Sequence, residues 1–203
     1  MSKPQQLLSA FALTALCAAA QAGTTTYANA ASFMTQVAAG AYTEAFTGLA
    51  SPAGSTPAVF SGAGFSYSAS SSDGIYLEGG FLGTNQIDQA LTINFTGGNV
   101  TAVGGNFFTT NLSDEFQAVS VAVTLSDGTT VSFTPASMAD SYRGFVSDMA
   151  ITSLSISAPG QSLYASLDNF TVGTAISAVP EPASWMLAGL GLAGLLALRR
   201  RSV

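Results

Sequence analysis

The sequence predicts an all-β domain, a jelly-roll-like antiparallel β-sandwich, set between two apolar, charge-flanked ends. Three observations carry this expectation. Apolar and polar residues alternate with period two through most of the chain, the pattern of strands that bury one face. The alternating runs are short and are separated by Gly, Pro, Asn, Asp and Ser, the residues that turns require. Helical patterns do not recur between the runs, which favours two packed antiparallel sheets over strands joined by crossover helices.

At the N-terminus, Met1 to Lys3 carries one positive charge, residues 7–20 are apolar, and Ala20-Gln21-Ala22 has the small-x-small pattern of a signal-peptidase site. Residues 1–22 therefore read as a signal peptide, with a mature chain from Gly23. Cys17 follows Leu16, where a lipobox needs a small residue, and Thr14 stands where Leu is expected, so Cys17 reads as part of the apolar region. The only cysteine then leaves with the peptide, and the exported chain has no disulfide, thiolate nucleophile or Cys-metal site.

The sandwich domain is expected over 23–178, long enough for one independent core. A short helix is expected over 30–39, with Phe33, Met34 and Val37 on one side. Residues 49–57, LASPAGSTP, hold too many breakers for regular structure and read as a surface loop. Strands are expected at 64–68 and 74–77, and through the alternating Leu91, Ile93 and Phe95. The series Val119, Val121, Val123, Leu125 runs into Ser126-Asp127-Gly128-Thr129 and resumes at Val131 and Phe133, which predicts a hairpin closed by an Asp-Gly turn. Further strands are expected at 145–147, 154–157, 164–167 and 170–172. Sequons at Asn94, Asn99, Asn111 and Asn169 are expected by chance in a chain this rich in Ser and Thr.

Charge and residue inventory narrow the chemistry. Between Gly23 and Val179 the only basic residue is Arg143 against ten acids, a net charge of −9. Nucleic-acid binding has no electrostatic footing in such a domain. The chain has no histidine and this span no lysine or cysteine, which excludes Ser-His-Asp and Cys-His nucleophiles, Schiff-base lysines and His-rich zinc sites. Only carboxylates remain as acid and base, so the domain is expected to be non-catalytic. A carboxylate-dependent polysaccharide hydrolase is the alternative. The adjacent Asp114 and Glu115 would face opposite sides of a strand, and read better as a solvated turn.

Asp168 is expected to share a strand face with Phe170 and Val172, directing a carboxylate toward apolar surroundings unless it lies at the sheet's rim. Two resolutions are open. One is a structural calcium held by Glu44, Asp168 and the backbone carbonyl of Asn169. The other is hydrogen bonding to backbone N–H groups of a neighbouring loop. Sugar binding would call for exposed aromatic platforms, for which Tyr67, Tyr76, Tyr142 and Tyr164 are available.

Residues 179–203 form a distinct segment. Residues 183–198 are sixteen uncharged positions, about 24 Å of helix at ~1.5 Å per residue, slightly short of a ~30 Å hydrocarbon core. Trp185 stands near one end, and Arg199, Arg200 and Arg201 flank the other as a cytoplasmic stop, which places the acidic domain outside the membrane. A single-pass anchor is one reading of this segment.

With Pro180, Glu181 and Pro182 immediately before the glycine-bearing apolar run and the terminal arginines, the segment VPEPASWMLAGLGLAGLLALRRRSV resembles the PEP-CTERM sorting signal. That resemblance covers about an eighth of the chain. It implies export in a Gram-negative bacterium and recognition by exosortase, a membrane transpeptidase-like enzyme. It also implies delivery to the cell surface or matrix in association with exopolysaccharide and biofilm. More loosely, AVGGNFF at 102–108, YRGFVSD at 142–148 and LDNFTVG at 167–173 resemble the later strands of jelly-roll domains found ahead of this signal. Such domains are similar to carbohydrate-binding modules and lectin-like sandwiches, so a carbohydrate-binding role is implied, without identifying the glycan.

Overall fold

The computed structural model describes residues 23–176. The expected signal peptide, the Pro180–Pro182 motif, the apolar run 183–198 and Arg199–Arg201 lie outside the described residues. In chain order the elements are β1 (Thr24–Tyr27), α1 (Ala30–Met34), β2 (Tyr42–Glu44), β3 (Ala58–Gly62), β4 (Phe65–Ser70), β5 (Ile75–Tyr76), β6 (Leu82–Thr84) and β7 (Leu91–Gly97). They continue with β8 (Ala102–Thr110), β9 (Phe116–Gln117), β10 (Val121–Leu125), β11 (Thr130–Phe133), β12 (Tyr142–Ser147), β13 (Ser153–Ser157) and β14 (Tyr164–Gly173).

All strand pairings are antiparallel, and two sheets form a sandwich. The first is built on β8 and β14, with β12 and β9 along the free side of β8, and β2 and β6 along the free side of β14. β1 extends it beyond β12 and β5 beyond β6. The second runs β11-β10-β13-β7-β4-β3. Alternation directs Val103, Phe107, Leu167, Phe170 and Val172 from one sheet against Tyr67, Ile93, Val123, Leu154 and Ile156 from the other, all completely buried. The rings of Tyr67 and Phe170 meet edge to face with centroids 5.2 Å apart, across the space between the sheets.

The expected hairpin forms between β10 and β11. Its turn closes with Gly128 N–H on the Leu125 carbonyl at 3.0 Å, and Leu125 N–H on the Thr129 carbonyl at 2.9 Å. Gly128 occupies the left-handed region at φ +88°, so this is a three-residue loop with a bulge rather than the tighter two-residue turn. The segment 49–57 is irregular, as its composition predicts.

The first helix is shorter than the expected 30–39. Asn29 caps it by accepting from Ser32 N–H at 2.8 Å, and it ends at Met34. Beyond it, Ala38 N–H donates to the Thr174 carbonyl, and Ile176 N–H to that of Gln36, drawing the chain into a bridge with the end of the domain. Phe33 and Val37 are buried as expected, whereas Met34 is exposed. Phe33 lies on the outer face of the first sheet, where Gly104 and Gly144 form a floor on which any added Cβ would collide with its ring. With Val37, Ala102 and Tyr142 it forms a second, smaller core.

The two strands expected at 164–167 and 170–172 are one strand with a bulge. Asn169 adopts φ +49°, and the register on β8 shifts between Asp168 and Thr171. The extra residue lets Leu167 and Phe170 both face the core, though an odd number of positions separates them. Asp168 pairs with Asn106 and faces outward with it, so its expected place beside Phe170 is corrected.

β8 runs the length of the first sheet. Its first residue, Ala102, is registered with Gly173 at the end of β14, and its last, Thr110, with Tyr164 at the start. Both ends of the described chain lie near Ala102, bordering one groove with Gly23, Thr25, Asn99, Asp148, Thr174 and Ile176 along its sides.

Candidate functional site: a tyrosine-lined cleft

Four separate stretches meet beside Thr110 on the outer face of the first sheet. They are β5, the segment through β6, the turn between β8 and β9, and the start of β14. Strand alternation buries Ile75 inward and turns Tyr76 outward, and on β14 it does the same for Ala165 and Tyr164. A cleft of about 220 Å³ results, with Tyr76, Phe81 and Tyr164 as aromatic walls and Asn85, Asn111 and Asp114 among its polar groups. Phe81 is fixed from behind by Phe108, at 5.7 Å between centroids, and meets Tyr76 at the same separation.

The β8–β9 turn repeats the chemistry of the β10–β11 turn. Asp114 N–H donates to the Asn111 carbonyl, and Asn111 N–H to that of Glu115, both at 3.1 Å. Asp114 sits at φ +60°, where the other turn has Gly128. Asn111 makes this tolerable: its Oδ1 accepts from Ser113 and Glu115 N–H, and its Nδ2 donates to the Glu115 carboxylate at 2.8 Å. Asp114 and Glu115 thus lie in an exposed turn. Asp114 is aimed at the cleft, and its Oδ2 accepts from the Tyr76 hydroxyl at 2.7 Å. That bond raises the Tyr76 pKa, since ionisation would remove the donor and set a phenolate against a carboxylate.

Of the four tyrosines open to a sugar-binding role, only Tyr76 and Tyr164 line the cleft. Tyr67 and Tyr142 are buried, and neither hydroxyl has a hydrogen-bond partner among the described residues. Arg143 sits 3.7 Å over the Phe133 ring, so it brings no positive charge to the cleft.

The residues considered for calcium do not converge. Glu44 is registered with Phe170 and faces the inner side of the sheet, where it accepts from the Tyr42 hydroxyl and from Phe46 N–H. Asp168 faces the outer side and accepts from the backbone N–H of Asn169 at 2.6 Å and its side-chain Nδ2 at 3.1 Å. Burial pushes the Asp168 carboxyl up, and the Asn169 N–H pulls against that. Asn169 Nδ2 also reaches Asn106 Oδ1, and Asn106 donates to Ser141 Oγ and the Met138 carbonyl, completing an outer polar cluster. Among the described residues no group of three His, Cys, Asp or Glu could hold a metal ion.

Phe81, Asn85 and Leu112 were not singled out by the sequence, and Asn111 only as a sequon. Its one usable signal was Asn111 opening a five-residue turn. Leu112, at the tip of that turn, is 86% exposed beside the cleft.

The family model of the PEP-CTERM protein-sorting motif matches residues 178–201. This C-terminal region therefore carries a PEP-CTERM protein-sorting motif, that of an exported surface protein processed by exosortase. No curated protein and no solved structure matches the chain.

Proposed function

We propose that this chain, with its sorting motif at 178–201, is a non-catalytic cell-surface or matrix protein of a Gram-negative bacterium whose sandwich associates with exopolysaccharide. The observation that carries the reading is the motif. Pro180 and Pro182 bracket Glu181 immediately before the apolar run, and Glu181 offers a single charge for recognition. Export fits the acidic, lysine-free domain, and signal-peptide removal before Gly23 would complete it.

The domain supports a binding role over a catalytic one. A two-carboxylate hydrolase needs a second acid opposite the first. Among the described residues Asp114 is the one carboxylate lining the cleft, and the Glu115 side chain is held by Asn111. From β7 onward the long strands cross between the sheets, β7 in the second, β8 in the first, β10 in the second, β12 in the first, β13 in the second and β14 in the first. Such crossing supports a sandwich of jelly-roll type.

Replacing Pro180, Glu181 and Pro182 together with alanine tests the sorting role in a host that has exosortase. The natural protein should lose its tail and reach the surface. The triple variant should be exported but accumulate in the cytoplasmic membrane at its full signal-cleaved length, because the apolar run is untouched. Retention of residues 183–203 by both proteins, with identical fractionation, would reduce the segment to a membrane anchor.

A further inference from the structure

We propose that the cleft between Tyr76, Phe81, Tyr164 and Asp114 binds one pyranose ring of an uncharged glycan. This rests on the surface-protein reading above and assigns it a site and a ligand class.

Three features select the ligand. First, the walls are aromatic and rigidly backed: Tyr76 packs on Phe81, and Phe81 on the buried Phe108. Flat apolar surfaces of this kind suit the C–H face of a sugar ring. Second, the rim offers polar atoms without another partner among the described residues: the second Asp114 oxygen, Asn85 Oδ1 and the Tyr164 hydroxyl. These are acceptors plus one group that can also donate, a set matched to the hydroxyls around a pyranose. The Tyr76 hydroxyl holds Asp114 in place, so an incoming hydroxyl meets a fixed, charged acceptor, which gives a stronger hydrogen bond than a neutral one.

Third, charge sorts the candidates. Among the described residues no Lys or Arg lines the cleft, so a phosphate, sulfate or uronate would find no counter-charge there and would face Asp114. At about 220 Å³ the cleft is small for a ligand pocket, with space for one ring of a chain that continues into solvent past Leu112.

The test is affinity gel electrophoresis of the exported protein recovered from its host. Gels carry dextran, galactomannan or polygalacturonate. Retardation by at least one of the two neutral polymers, absent on polygalacturonate, is expected. Asp114→Asn keeps the size of the side chain and a residue type at ease with φ +60°, and should weaken retention about tenfold by removing a charge-assisted bond. Tyr164→Ala removes one wall and should abolish retention. Retention by neither neutral polymer, stronger retention by polygalacturonate, or unchanged retention of both variants would overturn the proposal. Tail removal and surface delivery of the same proteins are scored in parallel, so a failed cleft with normal sorting is distinguishable from a failed sorting role.

Discussion

Replacing Tyr67 with phenylalanine should stabilise the domain, although it deletes a polar group from the centre of the sandwich. The Tyr67 ring is completely buried, stacked on Phe60 at 5.1 Å and edge-on to Phe170 at 5.2 Å, and phenylalanine keeps all of that packing. Its hydroxyl has no hydrogen-bond partner among the described residues. An orphaned buried hydroxyl costs about 1–3 kcal/mol, and Tyr67→Phe should recover about 1–2 kcal/mol of it. In a domain of this size each kcal/mol moves Tm by roughly 2–4 °C, so a rise of roughly 2–8 °C at pH 7 is expected. The effect should also grow with pH. Burial, with the nearby Tyr42 and Glu44 adding to it, holds the Tyr67 pKa far above the ordinary phenol value. The unfolded chain releases this proton at about pH 10 while the folded chain keeps it, so stability present below about pH 10 is lost as pH rises beyond it, by up to about 1.4 kcal/mol per pH unit. The variant lacks that loss, and its advantage at pH 11 should exceed its advantage at pH 7. Thermal unfolding followed by circular dichroism at both pH values decides the matter. A lower Tm at pH 7, or an advantage that does not grow by pH 11, would refute the claim that the hydroxyl is buried and unpartnered.

Residues 23–179, expressed alone, should give a β-type circular dichroism spectrum and melt cooperatively, because both sheets bury their inner faces without the tail; a disordered or mainly helical spectrum would contradict this. Gly144→Ala should cost about 1–3 kcal/mol in chemical denaturation, since its methyl would enter the Phe33 ring, and Phe33→Leu in the same background should return part of the loss. Gly128→Ala should cost about 1–2 kcal/mol for a Cβ at φ +88°, and Gly128→Asn distinctly less, by the tolerance that lets Asp114 hold the matching position. Mass spectrometry of the exported protein should find its N-terminus at or near Gly23; a diacylated Cys17 would contradict the signal-peptide reading.

What the sequence made legible was local. The β10–β11 hairpin could be read because Val121, Val123 and Leu125 keep period two into an Asp-Gly turn whose conformation few other residues adopt. β8 loses that period, because both faces are covered: Phe107 faces the core, while Ala102 and Phe108 are buried outside by Phe33 and Phe81. The bulge at Asn169 depends on Asn106, sixty-three positions away, so no local pattern could place it or turn Asp168 outward. β5 falls within the strand expected at 74–77, but β6 and β9 are two or three residues long and carry no period at all. The cleft was half legible. Aromatic platforms could be sought among four tyrosines, but topology alone separates the buried Tyr67 and Tyr142 from Tyr76 and Tyr164.

The course of β8 gives the molecule a direction. Nine residues at ~3.3 Å each set its two ends about 26 Å apart, with the chain's departure toward the sorting motif at one pole and the cleft at the other. A domain held through its C-terminal side therefore projects the cleft away from the point of attachment. That reach is about three times the ~8 Å screening length of physiological salt, so charged headgroups or surface polymers at the base exert little force on whatever enters the far end. Selection there is left to the cleft's own tyrosines and its one carboxylate.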